Sequence, residues 1–417
     1  KLIQIVMAEL NPSPLAPAQF PDLPALAGIK LATAATGLKY KGRDDLFLIM
    51  ADEGSSFAGV FTKSATAAAP VHLSRAGLKN GHARAVLTNA GNANAFTGQA
   101  GEAEISIYRS AFAAALDLTE EQILIASTGV IGEPLNGQAI AGFASQINNQ
   151  SGSASWHDAA LAIHTTDTFA KGASRSLMLE GQRVTINGIA KGSGMIAPDM
   201  ATMLAYIATD ASIATACLQQ MLEKALSTSF NAITVDSDTS TSDSVYLLAT
   251  HKADHQQITD INSKSGETFY SALQEVMIDL AQQIVKDGEG ASKFITVRVR
   301  AAETNTDART IAFAIANSPL VKTAIAGADA NWGRIVMAIG KSGAKADRDR
   351  LEISIGGIVI AQSGQRKDGY NEAPVAAHMA GDDIDILVDM GLGPGEAVVW
   401  TCDLTHDYIA INADYRS

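Results

Sequence analysis

Cysteine is almost missing, with 2 among 417 residues. Cys217 and Cys402 lie far apart in apolar sequence, so they read as two buried thiols and not as a disulfide or a metal-binding pair. Basic residues are also short: Lys plus Arg number 31 against 44 Asp plus Glu, a formal charge of −13. That balance disfavours nucleic acid or an anionic membrane as the main partner. No apolar run approaches the roughly 18 residues of a membrane span, and the N-terminus lacks the basic region and apolar core of a signal peptide. A cytoplasmic protein acting on small molecules is the expectation. The six residues ahead of Met7 are set aside as a candidate tag. Repeats at a fixed period and low-complexity tracts are absent too.

What the chain has is a 47% hydrophobic composition and enough length for a large core in two or more lobes. Apolar periodicity predicts strands at Phe47–Met50, Gly59–Thr62, Ala85–Asn89, Val184–Ala190 and Met203–Ala208. Helices are expected over Glu102–Leu116, Gly137–Ile147, from an N-cap at Ser212 to about Leu226, and over Ser265–Lys286. The C-terminal third reads mostly as strand: Ile353–Ala361, Ile384–Asp389, Ala397–Thr401 and Tyr408–Asn412. Such alternation argues an α/β fold.

Several chemical motifs fail on spacing. Gly333 and Gly340 ahead of Lys341-Ser342 are separated by six residues where a phosphate loop needs four. Gly288-Glu-Gly290-Ala-Ser-Lys293 lacks the last glycine of a dinucleotide fingerprint and follows a predicted helix. His251 and His255 would share a helical face, but no third ligand is near and the segment is polar, so a solvated turn is the better reading. No Gly-x-Ser-x-Gly elbow is present.

One hydroxyl is left in a reactive setting. Lys191-Gly-Ser-Gly-Met-Ile-Ala-Pro-Asp-Met-Ala-Thr202 is a constrained loop running into an apolar strand, and Thr202 follows the small Ala201. An N-terminal threonine supplies its own base, an α-amine of pKa about 8. Thr202 gains that amine only if the Ala201–Thr202 bond is cut, and its own hydroxyl can begin the cut by attacking the Ala201 carbonyl. The alternative is a threonine that opens a buried strand and bonds its own backbone. Ser127-Thr128-Gly129-Val130-Ile131-Gly132 offers a turn with backbone N–H groups and a hydroxyl of the kind an oxyanion requires. Asn89–Gly98 is a second turn, dense in amides.

These motifs, together with Thr165–Thr168, Phe230–Ser244, Lys286–Ile295, Gly327–Ile335 and the C-terminal tail, resemble the ornithine acetyltransferase (bifunctional glutamate N-acetyltransferase) family of arginine biosynthesis. The resemblance implies a layered α/β fold of helices and mixed sheet. It implies self-cleavage into an α chain, 1–201, and a β chain, 202–417, entwined and paired as α2β2. It assigns Thr202 as nucleophile, and Thr128 (side chain) and Gly129 (backbone) as the oxyanion hole. Substrate contacts fall on Lys191, Thr202, Glu289, Asn412 and Ser417, with one threonine of the Thr165–Thr168 run, for which we choose Thr168. The implied reaction moves acetyl from N2-acetyl-L-ornithine to L-glutamate, without metal or resident cofactor, and acetyl-CoA is a candidate second donor. Family members often carry Gly, Asn and Pro where this chain has Ser237, Ser242 and Ala330, none of them role-bearing. A self-processing aminopeptidase or amidohydrolase, and a non-catalytic binding protein, stay open as alternatives.

Overall fold

The computed structural model describes residues 11–79, 81, 83–197 and 203–414, the last by its backbone alone. In chain order its strands are β1 (Ile29–Ala34), β2 (Leu46–Ala51), β3 (Ser56–Phe61), β4 (Ala85–Asn92), β5 (Ile123–Val130), β6 (Lys171–Leu179), β7 (Gln182–Lys191) and β8 (Leu204–Thr209). They continue as β9 (Ser244–Ala249), β10 (Phe294–Ala302), β11 (Glu352–Ile355), β12 (Ile358–Gln362), β13 (Gln365–Arg366), β14 (Asp383–Asp389) and β15 (Gly395–Cys402).

Two sheets, ordered β1-β2-β4-β5 and β3-β9-β8-β7-β6, stack face to face. Phe47, Val86 and Leu124 of the first meet Ile189, Tyr206 and Tyr246 of the second. The uninterrupted apolar runs of β8 and β9 are buried on both faces, as strands enclosed between layers must be. Tyr206 satisfies its hydroxyl across the interface, 2.6 Å from Thr88 Oγ1, and stacks on Tyr246 at 5.6 Å. Helix Gly98–Leu116 covers the outer face of the first sheet, while helices Thr215–Leu226 and Lys264–Lys286 cover that of the second. The result is a helix–sheet–sheet–helix sandwich. A third sheet, β13-β12-β11-β14-β10-β15, packs helices Asn305–Ala316, Pro319–Ala326 and Trp332–Gly340 and forms a second lobe. All three sheets are mixed, through the parallel pairs β4–β5, β8–β9 and β10–β14. The expected layered α/β architecture is therefore present.

Four local expectations are corrected. The helix read over Gly137–Ile147 is two short helices, Gly137–Ala141 and Ala144–Asn149, on either side of Gly142. Ser212 is no N-cap: Ala214 holds that position, and Ser212 donates its N–H to His255 Nε2 at 3.0 Å. Ile353–Ala361 is a hairpin, folded at Gly356 and Gly357, which turn with φ of 58° and 77°. Tyr408–Asn412 belongs to the helix His406–Asp414, not to a strand. No helix among the described residues is long and apolar enough to cross a membrane.

Candidate active site

The two stacked sheets bring the ends of β5, β7 and β8 together, and a cavity of about 220 Å³ opens there. Thr128, Gly129, Lys191, Glu289 and Asn412 line it, five of the expected site residues from four separate segments. Thr202, Ala201 and Ser417 lie outside the described residues. Met203, next in the chain after Thr202, donates its N–H to Asp243 Oδ1 at 2.8 Å and its carbonyl accepts from Ser244 N–H. The buried Asp243 carboxyl, pushed well above its ordinary pKa by burial, thus fixes the first described peptide of the second half.

Thr128 and Gly129 end β5, whose apolar start Ile123–Ala126 drives it into the core. Lys191 is buried at the end of β7 and its Nζ donates to Thr128 Oγ1 at 3.1 Å. Because the ammonium occupies an acceptor position on that oxygen, the hydroxyl's own hydrogen is left to point elsewhere. Gly129 has φ of 126°, and a Cβ there would fall 2.3 Å from the Gly91 carbonyl carbon, so β4 and β5 leave room only for glycine.

Glu289 follows helix Lys264–Lys286 and lies over Gly194, where an added Cβ would stand 2.4 Å from its carboxyl carbon. Asn412 Nδ2 donates to Glu289 Oε2 at 2.7 Å. Burial nonetheless raises the Glu289 pKa above its ordinary value, with Asn412 and the Thr166 hydroxyl opposing the rise. Burial likewise pulls the Lys191 ammonium down, and Asp167 opposes it.

Beneath the cavity sits an ion cluster that the sequence did not mark. Lys171, fully buried, donates to Asp167 at 2.7 Å and to Asp287. Asp167 in turn accepts from Gly192 N–H at 2.6 Å and Thr165 N–H at 3.0 Å, tying both loops to one point. Burial alone would raise the Asp167 carboxyl, but Lys171 and Lys191 hold it well below the usual range. Asp287 is pushed up to about 6 by burial, against Lys171. One ammonium between two carboxylates leaves an excess negative charge, and Asp287 is the member that takes a proton first.

The threonine choice shifts. Thr165 and Thr166 line the cavity, whereas Thr168 gives its hydroxyl and N–H to Asp287 and borders an adjoining cleft. Residue spacing could not separate them, because all four positions of the run are hydrophilic. Ser240, Thr241 and Ser242 also line the cavity, so Ser242, given no role in the sequence, faces the site. Ser237 has φ of 65°, in the left-handed region that favours glycine. Asp236 accepts from Met195 and Ile196 N–H at 2.6 and 2.8 Å and holds the loop that follows β7. His251 and His255 spend ring nitrogens on Ser56, Ser212 and backbone, and both cysteines are buried and free.

The ArgJ family pattern matches residues 30–417. The arginine biosynthesis bifunctional protein ArgJ of Agrobacterium fabrum is 53% identical over 408 residues, covering 97% of this chain and 99% of the relative. Its counterpart from Ruegeria pomeroyi is also 53% identical, over 97% of this chain and 98% of the relative. A crystal structure of the bifunctional ArgJ protein from Bacillus halodurans superposes with a TM-score of 0.50 at 43% identity, covering 51% of this chain and 100% of that one. A pocket that joins a polarised threonine hydroxyl to a buried lysine and a glutamate thus stands in a chain half identical to those relatives, and the chain belongs to the ArgJ family, the bifunctional acyltransferases of arginine biosynthesis.

Proposed function

We propose that the chain moves an acetyl group from N2-acetyl-L-ornithine to L-glutamate through an ester on Thr202, after cutting itself between Ala201 and Thr202. The observation that carries the reading is the convergence of Thr128, Gly129, Lys191 and Glu289 on one cavity at the start of β8, the strand that follows Thr202. In the first step Thr202 Oγ attacks the acetyl carbonyl while its α-amine takes the hydroxyl proton. The Thr128 hydroxyl and Gly129 N–H meet the oxyanion. Collapse breaks the C–N bond, the proton passes to the departing nitrogen, and ornithine leaves. Glutamate's amine then attacks the ester and regenerates the threonine.

One pocket must accept a cationic ornithine side chain and an anionic glutamate side chain in turn. Glu289 suits that alternation, since a carboxyl raised by burial is ionised beside a cation and takes up a proton more readily beside an anion. Lys191 supplies the fixed positive charge. In place of Thr168, we assign Thr165 and Thr166 as the threonines that touch substrate. The 51% coverage by a Bacillus halodurans chain matched along its whole length agrees with a chain that is divided near its middle.

The reading needs no metal or resident cofactor, allows acetyl-CoA as a second donor, and places a cytoplasmic α2β2 assembly of 1–201 and 202–417. Mass spectrometry of the denatured protein should find both fragments, the second beginning Thr-Met-Leu-Ala, and Thr202→Ala should stay whole and inactive. A wild-type chain that transfers acetyl while uncut would rule out the α-amine as base. Hydrolysis of amino-acid amides without acetyl transfer would favour an aminopeptidase.

A further inference from the structure

We propose that a second cavity, on the face of the β4–β5 pair turned away from the active site, binds a short aliphatic α-amino acid as its zwitterion, with Asp45 taking the ammonium and Lys39 the carboxylate. The two cavities have separate linings about Gly129, whose φ of 126° interrupts the regular alternation of β5: Thr128 and Ile131 line the active site, and Val130 lines the second. The start of the amide-rich turn, Asn89 to Asn92, forms part of its wall. At about 270 Å³ it is slightly larger than the active-site cavity of about 220 Å³, so an amino acid fits.

Asp45 is the reason to expect a cation. Its residue is 1% exposed, Oδ1 accepts the Thr36 N–H at 2.6 Å, and Oδ2 has no partner among the described residues. The backbone holds it in place, since Asp45 N–H donates to the Ala34 carbonyl and Ala90 N–H to its own. A buried carboxylate oxygen without a donor is costly, and an entering ammonium removes that cost. The nearby Arg43 makes no hydrogen bond to Asp45 among the described residues: its Nη2 donates to the His164 carbonyl at 2.8 Å, its guanidinium stacks on Tyr40 at 3.7 Å, and its buried Nε has no partner there. Burial pushes the Asp45 carboxyl up, with the Thr36 hydrogen bonds and the Arg43 charge opposing the rise.

The rest of the lining selects the remainder of the ligand. Lys39 is exposed at the rim, its stem packed so closely on Gly91 that a Cβ there would fall 2.7 Å from Lys39 Cβ. Its ammonium makes no ion pair among the described residues, which leaves it for a carboxylate. Val130, Leu135 and Ile140 provide an apolar wall for an aliphatic side chain.

L-Norvaline, which carries both charged ends and a short apolar side chain, is the probe. Calorimetric titration of the purified protein should show millimolar or tighter binding that survives Glu289→Gln in the active site. Asp45→Asn, which keeps the shape and the Thr36 hydrogen bond, and Lys39→Met should each weaken it at least about tenfold. Lys39 is exposed, so loss of binding in that variant is not a folding failure. Binding that is unchanged in both variants, or abolished by Glu289→Gln, or no heat of binding at millimolar ligand, would overturn the proposal. The measurement involves no turnover, so a protein that failed to transfer acetyl would sink the catalytic reading and leave this test standing.

Discussion

Thr128 does two jobs with one oxygen: it accepts from the buried Lys191 and offers its hydrogen to the cavity. Thr128→Val keeps the shape and removes the donor, so acetyl transfer should slow roughly 100- to 1,000-fold, as for the loss of one oxyanion donor elsewhere. Self-cleavage passes through a similar oxyanion and should slow with it. Steady-state kinetics beside a time course of fragment appearance reads both, and unchanged rates would remove Thr128 from the chemistry. His164 governs a different property. It is buried behind the Thr165 loop, and burial drives its pKa from 6.5 to about 3. The unfolded chain therefore binds a proton that the native chain refuses between pH 6.5 and 3, and stability is present above that window and lost as pH falls through it. At pH 5 the penalty is about 2 kcal/mol, from 1.36 kcal/mol per unit over roughly 1.5 units. Urea unfolding of the wild type and of His164→Gln at pH 7 and pH 5 should show the variant losing less stability on acidification, whatever its stability at pH 7. Equal losses would mean that His164 is protonated in the native state.

Elements were legible in proportion to how far local pattern decides them. Strands β2, β4, β7 and β8 were visible because burial on both faces writes an apolar run into the chain, and β14 because its buried and exposed residues alternate. Edges and ends were less so. Tyr408-Ile-Ala-Ile-Asn412 alternates weakly and reads as strand, but it becomes helix because tertiary contacts choose for it: Thr405 caps Gly290's carbonyl at 2.7 Å, and Tyr408 and Asn412 lie one helical turn apart toward Asp236 and Glu289. The site was readable as residue types and unreadable as geometry. Asp167 and Lys171 stand four residues apart, but nothing in the sequence announces that Asp287, 116 residues after Lys171, joins them under Lys191, and a run of hydrophilic threonines cannot show which hydroxyls turn toward a carboxylate below. The C-terminal helix leads to a further test. Removing residues 412–417 deletes the Asn412 donor that orients Glu289 and restrains its pKa, while the core beneath is untouched. Self-cleavage and melting temperature should stay near wild type, and kcat/KM for acetyl transfer should fall at least about tenfold, or about 1.4 kcal/mol. Near-normal kcat/KM would leave the helix without a part in the reaction.

At the scale of the whole molecule, the two halves on either side of the Ala201–Thr202 bond are not two domains. The sheet β3-β9-β8-β7-β6 takes β3, β6 and β7 from before that bond and β8 and β9 from after it. β8 lies antiparallel to β7 over Ile186–Lys191 and parallel to β9, and β9 pairs with β3 over Ser56–Phe61. Pulling the halves apart would break two strand ladders and open the aromatic interface of Phe47, Tyr206 and Tyr246. A cut at the proposed bond therefore costs the fold no shared strand, and the fragments should behave as one particle. Native mass spectrometry of the processed protein should show the mass of a complete chain or a multiple of it, with one water added per chain. Denaturant should release residues 1–201 and 202–417 separately. Unfolding followed by tyrosine fluorescence and by far-ultraviolet circular dichroism should give one coincident transition for the sandwich, since neither half owns its core. Residues 202–417 expressed alone should fail to form the five-stranded sheet, because β8 and β9 would each present an unpaired edge to water. Fragments that part on a sizing column without denaturant, or a second half that folds alone, would mean that the shared sheet does not hold the molecule together.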